Sequence, residues 1–296
     1  EARVVKDDGL GAPVGGVPAR ILGSETAAPG RVEHRMSERI TVEISDGIAD
    51  VRLNRGDKMN AMDGPMFTAL IETADELAKT EGLRAVVLSG NGPAWCAGLD
   101  FSGFQSMAGG GESNTSSIGD IENDRITHNA QQAVWGWREL PVPVIAAVHG
   151  VAFGAGIQLA AGCDIRFVAP DVRMSILEIR WGISPDMTIT HLLPGLIGAD
   201  VAKELIWTGR EVNGEEAVRI GLATHVSEDP LAEKSPHAIR AGKRLVEHAY
   251  AEDFASGFAM ERKEIFNLIG TPNQVESVTA FFEKRTPNYT EVEVGQ

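Results

Sequence analysis

Residues 143–186, PVIAAVHGVAFGAGIQLAAGCDIRFVAPDVRMSILEIRWGISPD, constrain this chain more than any other stretch. The apolar run Val144–Val148 reads as a buried strand. Gly150, Gly154 and Gly156 follow it, and then an apolar helical segment from Ile157 to Ala161. Glycine lets the backbone turn sharply and lets a ligand approach main-chain atoms. A helix that begins at such a turn presents unpaired N–H groups, which favour negative charge. Two carboxylates, Glu178 and Asp186, lie just beyond in an otherwise apolar segment. The stretch predicts an oxyanion-binding turn with an acid/base site beside it.

The flanking sequence alternates strands with helices, which predicts an α/β core. Ile40–Leu53 alternates as a hairpin around Ser45-Asp46-Gly47. A polar loop, NRGDKMN, precedes a helix opened by Pro65 and running to Lys79, with Met66, Leu70, Ala74 and Leu77 on one face. Ala85–Leu88 reads as a second buried strand, followed by the three-glycine loop Asn91–Phe104 and a Gly/Ser/Asn-rich segment, 105–119. Helical spacing covers 121–140, then 187–193, 198–208 and 213–220, with a short strand at 223–226. Helices over 236–269 and 273–284 close the chain, the last carrying Val275, Val278, Phe281 and Phe282. Residues 1–35 show no period and read as a flexible extension, 36–230 as the core, and 231–296 as a helical C-terminal region.

The formal net charge of -15 disfavours non-specific binding to nucleic acid or anionic membranes. Cys96 and Cys163 lie in apolar contexts with neither a disulfide framework nor zinc spacing, which predicts a reducing, cytoplasmic compartment. No apolar run reaches the length of a membrane span. His149 and His191 have no metal-ligand spacing around them, and no metal is expected.

Three motifs occur in order: NRGDKMNAM (Asn54–Met62), AVVLSGNGPAWCAGLDF (Ala85–Phe101) and the 143–186 stretch. Together they resemble the enoyl-CoA hydratase/isomerase family, the crotonases, over Ile40 to Tyr289. The resemblance implies the crotonase (ClpP-like) spiral of β-β-α units with a helical C-terminal extension. It implies an acyl-CoA thioester as substrate, no cofactor beyond the coenzyme A carried by that substrate, and assembly as a homotrimer or a hexamer built from two trimers. By position, the resemblance implies that the backbone N–H groups of Leu99 and Ala155 hold the thioester oxygen as an enolate forms. It implies substrate or CoA contacts at Lys58, Ala61, Ala97, Gly98, Asp100, Phe101 and Gly154, with 231–296 closing the CoA pocket and serving oligomerisation.

The catalytic positions depart from the family's hydratases, which use two glutamates. Glu178 matches the second, and Gln158 stands at the first. A glutamine orients groups but takes up no proton. The spacing of Glu178 and Asp186 in LEIRWGISPDMT resembles the dienoyl-CoA isomerase branch, where such a pair moves a proton along a conjugated chain. The expected activity is therefore double-bond isomerisation of an enoyl- or dienoyl-CoA, with Glu178 as principal base, Asp186 as partner and Gln158 facing the acyl group. Two alternatives stand beside it: hydration by Glu178 with Gln158 orienting water, and a non-catalytic acyl-CoA-binding protein. A nicotinamide-dependent oxidoreductase is disfavoured, because Leu159 replaces the third glycine of the dinucleotide fingerprint. Bland roles also fit several residues: Asp186 as a helix-start acid, Asp100 as a loop brace, and Lys58, Lys284 and Arg285 as solvated charges.

Overall fold

The structure is a computed structural model that describes residues 32–34, 37–45, 47–100, 125–226, 243, 244, 246, 263 and 266–290. The segment 105–119, Phe101 and nearly all of 227–265 lie outside the described residues.

The predicted hairpin forms from β2 (Ile40–Ser45) and β3 (Ile48–Leu53), antiparallel, with Ile40 opposite Leu53. Period-two alternation buries Ile40 and Val42 on one strand and Ala49, Val51 and Leu53 on the other. Val32–His34 (β1) pairs antiparallel with β2, so three residues of the predicted extension form an edge strand. β4 (Ala85–Gly90), β5 (Val144–Val148) and β7 (Ile165–Val168) add in parallel, in the order β1-β2-β3-β4-β5-β7. The apolar run of β5 suits a strand covered on both faces.

A second layer runs alongside. Met62 bridges Leu99, Cys96 bridges Ala152, β6 (Val151–Phe153) pairs with β8 (Arg173–Ser175), and Met174 bridges Val212. Each turn of the chain thus gives one strand to the large sheet and one short segment to this layer, and then usually enters a helix. α1 (Gly64–Leu77) starts where the Asp63 side chain accepts from Met66 N, and buries Met66, Phe67, Leu70, Ala74 and Leu77. α2 (Asn129–Glu139) packs on α1. It begins later than the predicted 121–140, because His128 caps it in a reciprocal capping box with Gln131. α3 (Ala155–Gly162) is buried along its whole length.

α4 (Ile189–Ile197), α5 (Ala199–Thr208), α6 (Gly214–Ile220) and α7 (Pro272–Glu283) follow. The predicted strand at 223–226 reduces to one bridge between Phe167 and His225. Thr224 N and His225 N both donate to Arg166 O, so the ladder does not propagate. On α7, Val275, Val278 and Phe282 are exposed while Ala280 is buried. Among the described residues no helix is long and apolar enough to cross a membrane.

Candidate active site

The site lies where two adjacent turns of the second layer run side by side. Met62 N donates to Gly98 O (2.8 Å), and Asp100 N donates to Met62 O (2.9 Å). These bonds occupy the edge facing Met62, so the intervening Leu99 N–H faces the side of β6 and α3. No described group accepts it there. Ala155 is the first residue of α3, so its N–H is one of the helix's unpaired donors.

Glycine lets the two turns that carry these donors approach each other. Gly98 sits at φ 98°, and a Cβ there would lie 2.8 Å from Phe153 O and 3.8 Å from Ala155 N. Gly154 sits at φ 50°, and a Cβ there would meet Glu178 Oε1 at 3.4 Å. Both positions have positive φ, and Gly98 requires close approach as well. Three residues not foreseen from sequence brace the turns. Trp95, fully buried, donates from Nε1 to Gly156 O (2.9 Å). Cys96 N donates to Val151 O and Cys96 O accepts from Phe153 N, both at 3.0 Å. Asn60, left-handed and buried, donates to Asn91 O and Ala94 O and accepts from Arg55 N.

A cavity of about 650 Å³ opens at these turns. Every predicted site residue within the described chain lines it: Lys58, Ala61, Ala97, Gly98, Leu99, Asp100, Gly154, Ala155, Gln158, Glu178 and Asp186. Phe101 lies outside the described residues.

Glu178 opens a 3-10 turn (Glu178–Trp181) after β8 and is 7% exposed. Gln158 reaches it from one turn inside α3: its Nε2 donates to Glu178 Oε1 at 2.6 Å. Met187 N donates to Gln158 Oε1 (2.9 Å), which fixes the amide with its nitrogen toward the carboxylate. Glu178 Oε2 is buried and has no hydrogen-bond partner. Burial pushes the Glu178 carboxyl above its ordinary value, its own backbone N–H and then the Gln158 donor oppose that rise, and the Asp186 charge adds to it. Asp186 itself is exposed on the cavity wall.

Arg55, also missed from sequence, lines the cavity and ties its near wall together. Its Nη1 donates to Ala61 O (2.9 Å) and to Asp100 Oδ2 (2.6 Å). Asp100 is thus the predicted loop brace, held by a cation 45 residues away. Lys58 is exposed at the end of a short 3-10 turn (Gly56–Lys58). Arg285 pairs with Glu276 and Glu283 on α7, while Lys284 is exposed. His149 bonds Gly92 O through Nε2, and His191 is exposed on α4. Burial pushes both thiols, Cys96 and Cys163, up to about 12. Among the described residues no group of three or more His, Cys, Asp or Glu is placed to hold a metal ion.

A mixed sheet, parallel from β3 onward, wound with a second layer, the helices outside and a cavity at the inter-turn edge, is the crotonase fold. The sequence profile described as enoyl-CoA hydratase/isomerase matches residues 43–292, and the chain belongs to that family. Human methylglutaconyl-CoA hydratase, mitochondrial, is 29% identical over 94% of this chain and 83% of its own length. Human enoyl-CoA hydratase domain-containing protein 2, mitochondrial, is 30% identical over 92% of this chain and 94% of its own. The crystal structure of enoyl-CoA hydratase from Bacillus anthracis superposes with a TM-score of 0.74 at 29% identity, covering 85% of this chain and 98% of that one. The protein is an acyl-CoA enzyme of the enoyl-CoA hydratase/isomerase family.

Proposed function

We propose that this enzyme isomerises the double bond of an enoyl- or dienoyl-CoA thioester, using Glu178 as its base. The carrying observation is the Gln158–Glu178 pair. Gln158 has no proton to exchange, and its amide occupies one oxygen of Glu178, leaving Oε2 as the free acceptor. The Glu178 carboxylate removes a proton from C2, and the electron pair moves into the thioester to give a dienolate, or a trienolate from a dienoyl chain. The N–H groups of Leu99 and Ala155 hold the resulting negative oxygen; one such donor typically contributes about 3 kcal/mol of barrier stabilisation. The proton returns at C4 from Glu178, or at C6 of a dienoyl chain by way of Asp186, and the double bond moves toward the thioester. No water is added and none is lost. Burial suits Glu178 to this role, because it raises the carboxyl above its ordinary value, the direction that general acid/base work needs.

The names of the relatives favour a second reading, hydration, in which Glu178 activates a water that Gln158 orients. Turnover of 3-enoyl-CoA, 3,5-dienoyl-CoA and 2-enoyl-CoA under one set of conditions separates the two. Isomerisation of either of the first two outrunning hydration of the third supports the proposal, and hydration far above both rejects it. Binding of all three with no turnover would leave a non-catalytic acyl-CoA-binding protein. We also propose a homotrimer or hexamer, which the exposed Val275, Val278 and Phe282 on α7 support. Sedimentation equilibrium giving a monomer would refute it. A cytoplasmic location rests on the unpaired buried thiols.

A further inference from the structure

Thr188 combines two unfavourable features beside the catalytic pair. Its backbone lies at φ 73°, ψ −13°, where β-branched residues are rarely found. Its hydroxyl is buried with no hydrogen-bond partner, although the residue precedes α4, where a threonine side chain ordinarily accepts from the helix's first N–H groups. Strain of this kind persists only where surrounding structure enforces it, and it concentrates at functional sites.

The surroundings identify what is enforced. On one side, the adjacent Met187 N–H donates to Gln158 Oε1. On the other, α4 begins at once: His191 N and Leu192 N donate to Thr188 O, at 2.9 Å and 3.3 Å. Ile189, Leu193 and Ile197 anchor that helix in the core. An ordinary right-handed or extended residue at 188 would send the chain out of Met187 in another direction. With α4 held by its apolar face, Met187 would have to shift, and its N–H would leave Gln158.

We propose that Thr188 is a positioning residue for the catalytic pair. Its left-handed turn, locked by α4, holds the Met187 N–H against Gln158 and so decides which end of the amide faces Glu178. Without that N–H the amide is free to flip, its oxygen then opposes the Glu178 carboxylate, and ionised Glu178 loses a donor. Among the described residues, the charged groups around Glu178 are few. Asp186 acts on it directly, and Arg55, Asp57, Lys58 and Asp100 line the same cavity. Arg180 on its own turn, and Asp200, Lys203 and Glu204 on the packed helix α5, are exposed.

The proposal rests on Glu178 as the base, so the test reads the carboxyl directly as well as through catalysis. Thr188→Pro excludes the left-handed turn, because proline holds φ near about −65°, while remaining compatible with a helix start. In that variant the Glu178 carboxyl, followed by carbon-13 NMR, should titrate about one pH unit higher than in the parent. The acid limb of kcat/KM should move with it. Thr188→Gly, which takes the turn without strain, should leave both unchanged. On a Gln158→Leu background, Thr188→Pro should add no further shift. An unmoved Glu178 titration in Thr188→Pro, an equal shift in Thr188→Gly, or an additive shift on the Gln158→Leu background would overturn the proposal. If the proline variant does not fold, the glycine variant still tests the proposal, because a shifted Glu178 titration there refutes the backbone role. A carboxyl that shifts while the kinetic limb stays put would instead remove Glu178 as the base and leave the positioning role intact.

Discussion

Replacing Gln158 with Leu isolates the feature on which the chemistry turns. Leucine nearly preserves the volume inside α3 and removes both halves of the amide. Glu178 Oε1 then loses its 2.6 Å donor, and Met187 N loses its 2.9 Å acceptor. A hydrogen bond to a charged group contributes roughly 1.5–3 kcal/mol. At about 1.4 kcal/mol per pKa unit, that corresponds to an upward shift of about 1–2 units. The direction follows from the present balance, in which burial raises the Glu178 carboxyl and Gln158 holds it back. The assay is kcat/KM for the best enoyl-CoA substrate across the accessible pH range. The acid limb should move to higher pH by about 1–2 units, with activity recovering above it because a carboxylate of higher pKa is the stronger base. A limb that stays in place, or moves down, would show that Gln158 does not stabilise ionised Glu178.

Gln158→Glu places a second carboxyl beside Glu178, with the Met187 N–H still available to it. The pair should titrate as a coupled unit, and hydration of 2-enoyl-CoA should rise at least about tenfold while isomerisation falls. Equal rates on both reactions before and after, followed by spectrophotometry, would contradict this. Glu178→Gln should abolish turnover and raise the thermal midpoint at neutral pH. Because burial raises the folded-state value, Glu178 contributes stability below its unfolded value of 4.5, and that contribution is lost as pH rises through the folded value. The difference between parent and variant should therefore close as pH falls below 4.5, and a gap that stays constant down to acid would refute the assignment. Gly98→Ala forces a Cβ to within 2.8 Å of Phe153 O at φ 98°. It should destabilise the fold by about 1–3 kcal/mol and lower kcat by roughly 100-fold, as measured by melting and steady-state kinetics.

Much of the site was legible because glycine and apolar runs carry local meaning. Val144–Val148, the glycines at 150, 154 and 156, and the apolar helix after them encode a strand, a turn and a helix start within a few residues. The roles of Leu99 and Ala155 come from the family resemblance rather than from that pattern, and both line one cavity with Glu178. What stayed hidden depends on partners far along the chain. Arg55 reads as one more loop charge until it meets Asp100, and Trp95 as one more apolar residue until its indole meets Gly156 O. The start of α2 is hidden in the sequence because histidine is an unusual cap, and only the folded backbone brings Gln131 back to complete the box. No local pattern announces a left-handed threonine, since the packing of α4 imposes it. Asp186 illustrates the converse limit: its spacing from Glu178 was visible, but its exposure was not.

The most direct measurement is a crystal structure with a bound, non-reacting acyl-CoA analogue. The thioester oxygen should lie within about 3 Å of both Leu99 N and Ala155 N, with the Glu178 carboxylate facing C2 of the acyl chain. A thioester oxygen held elsewhere, or by one of the two amides alone with Glu178 turned from C2, would contradict it.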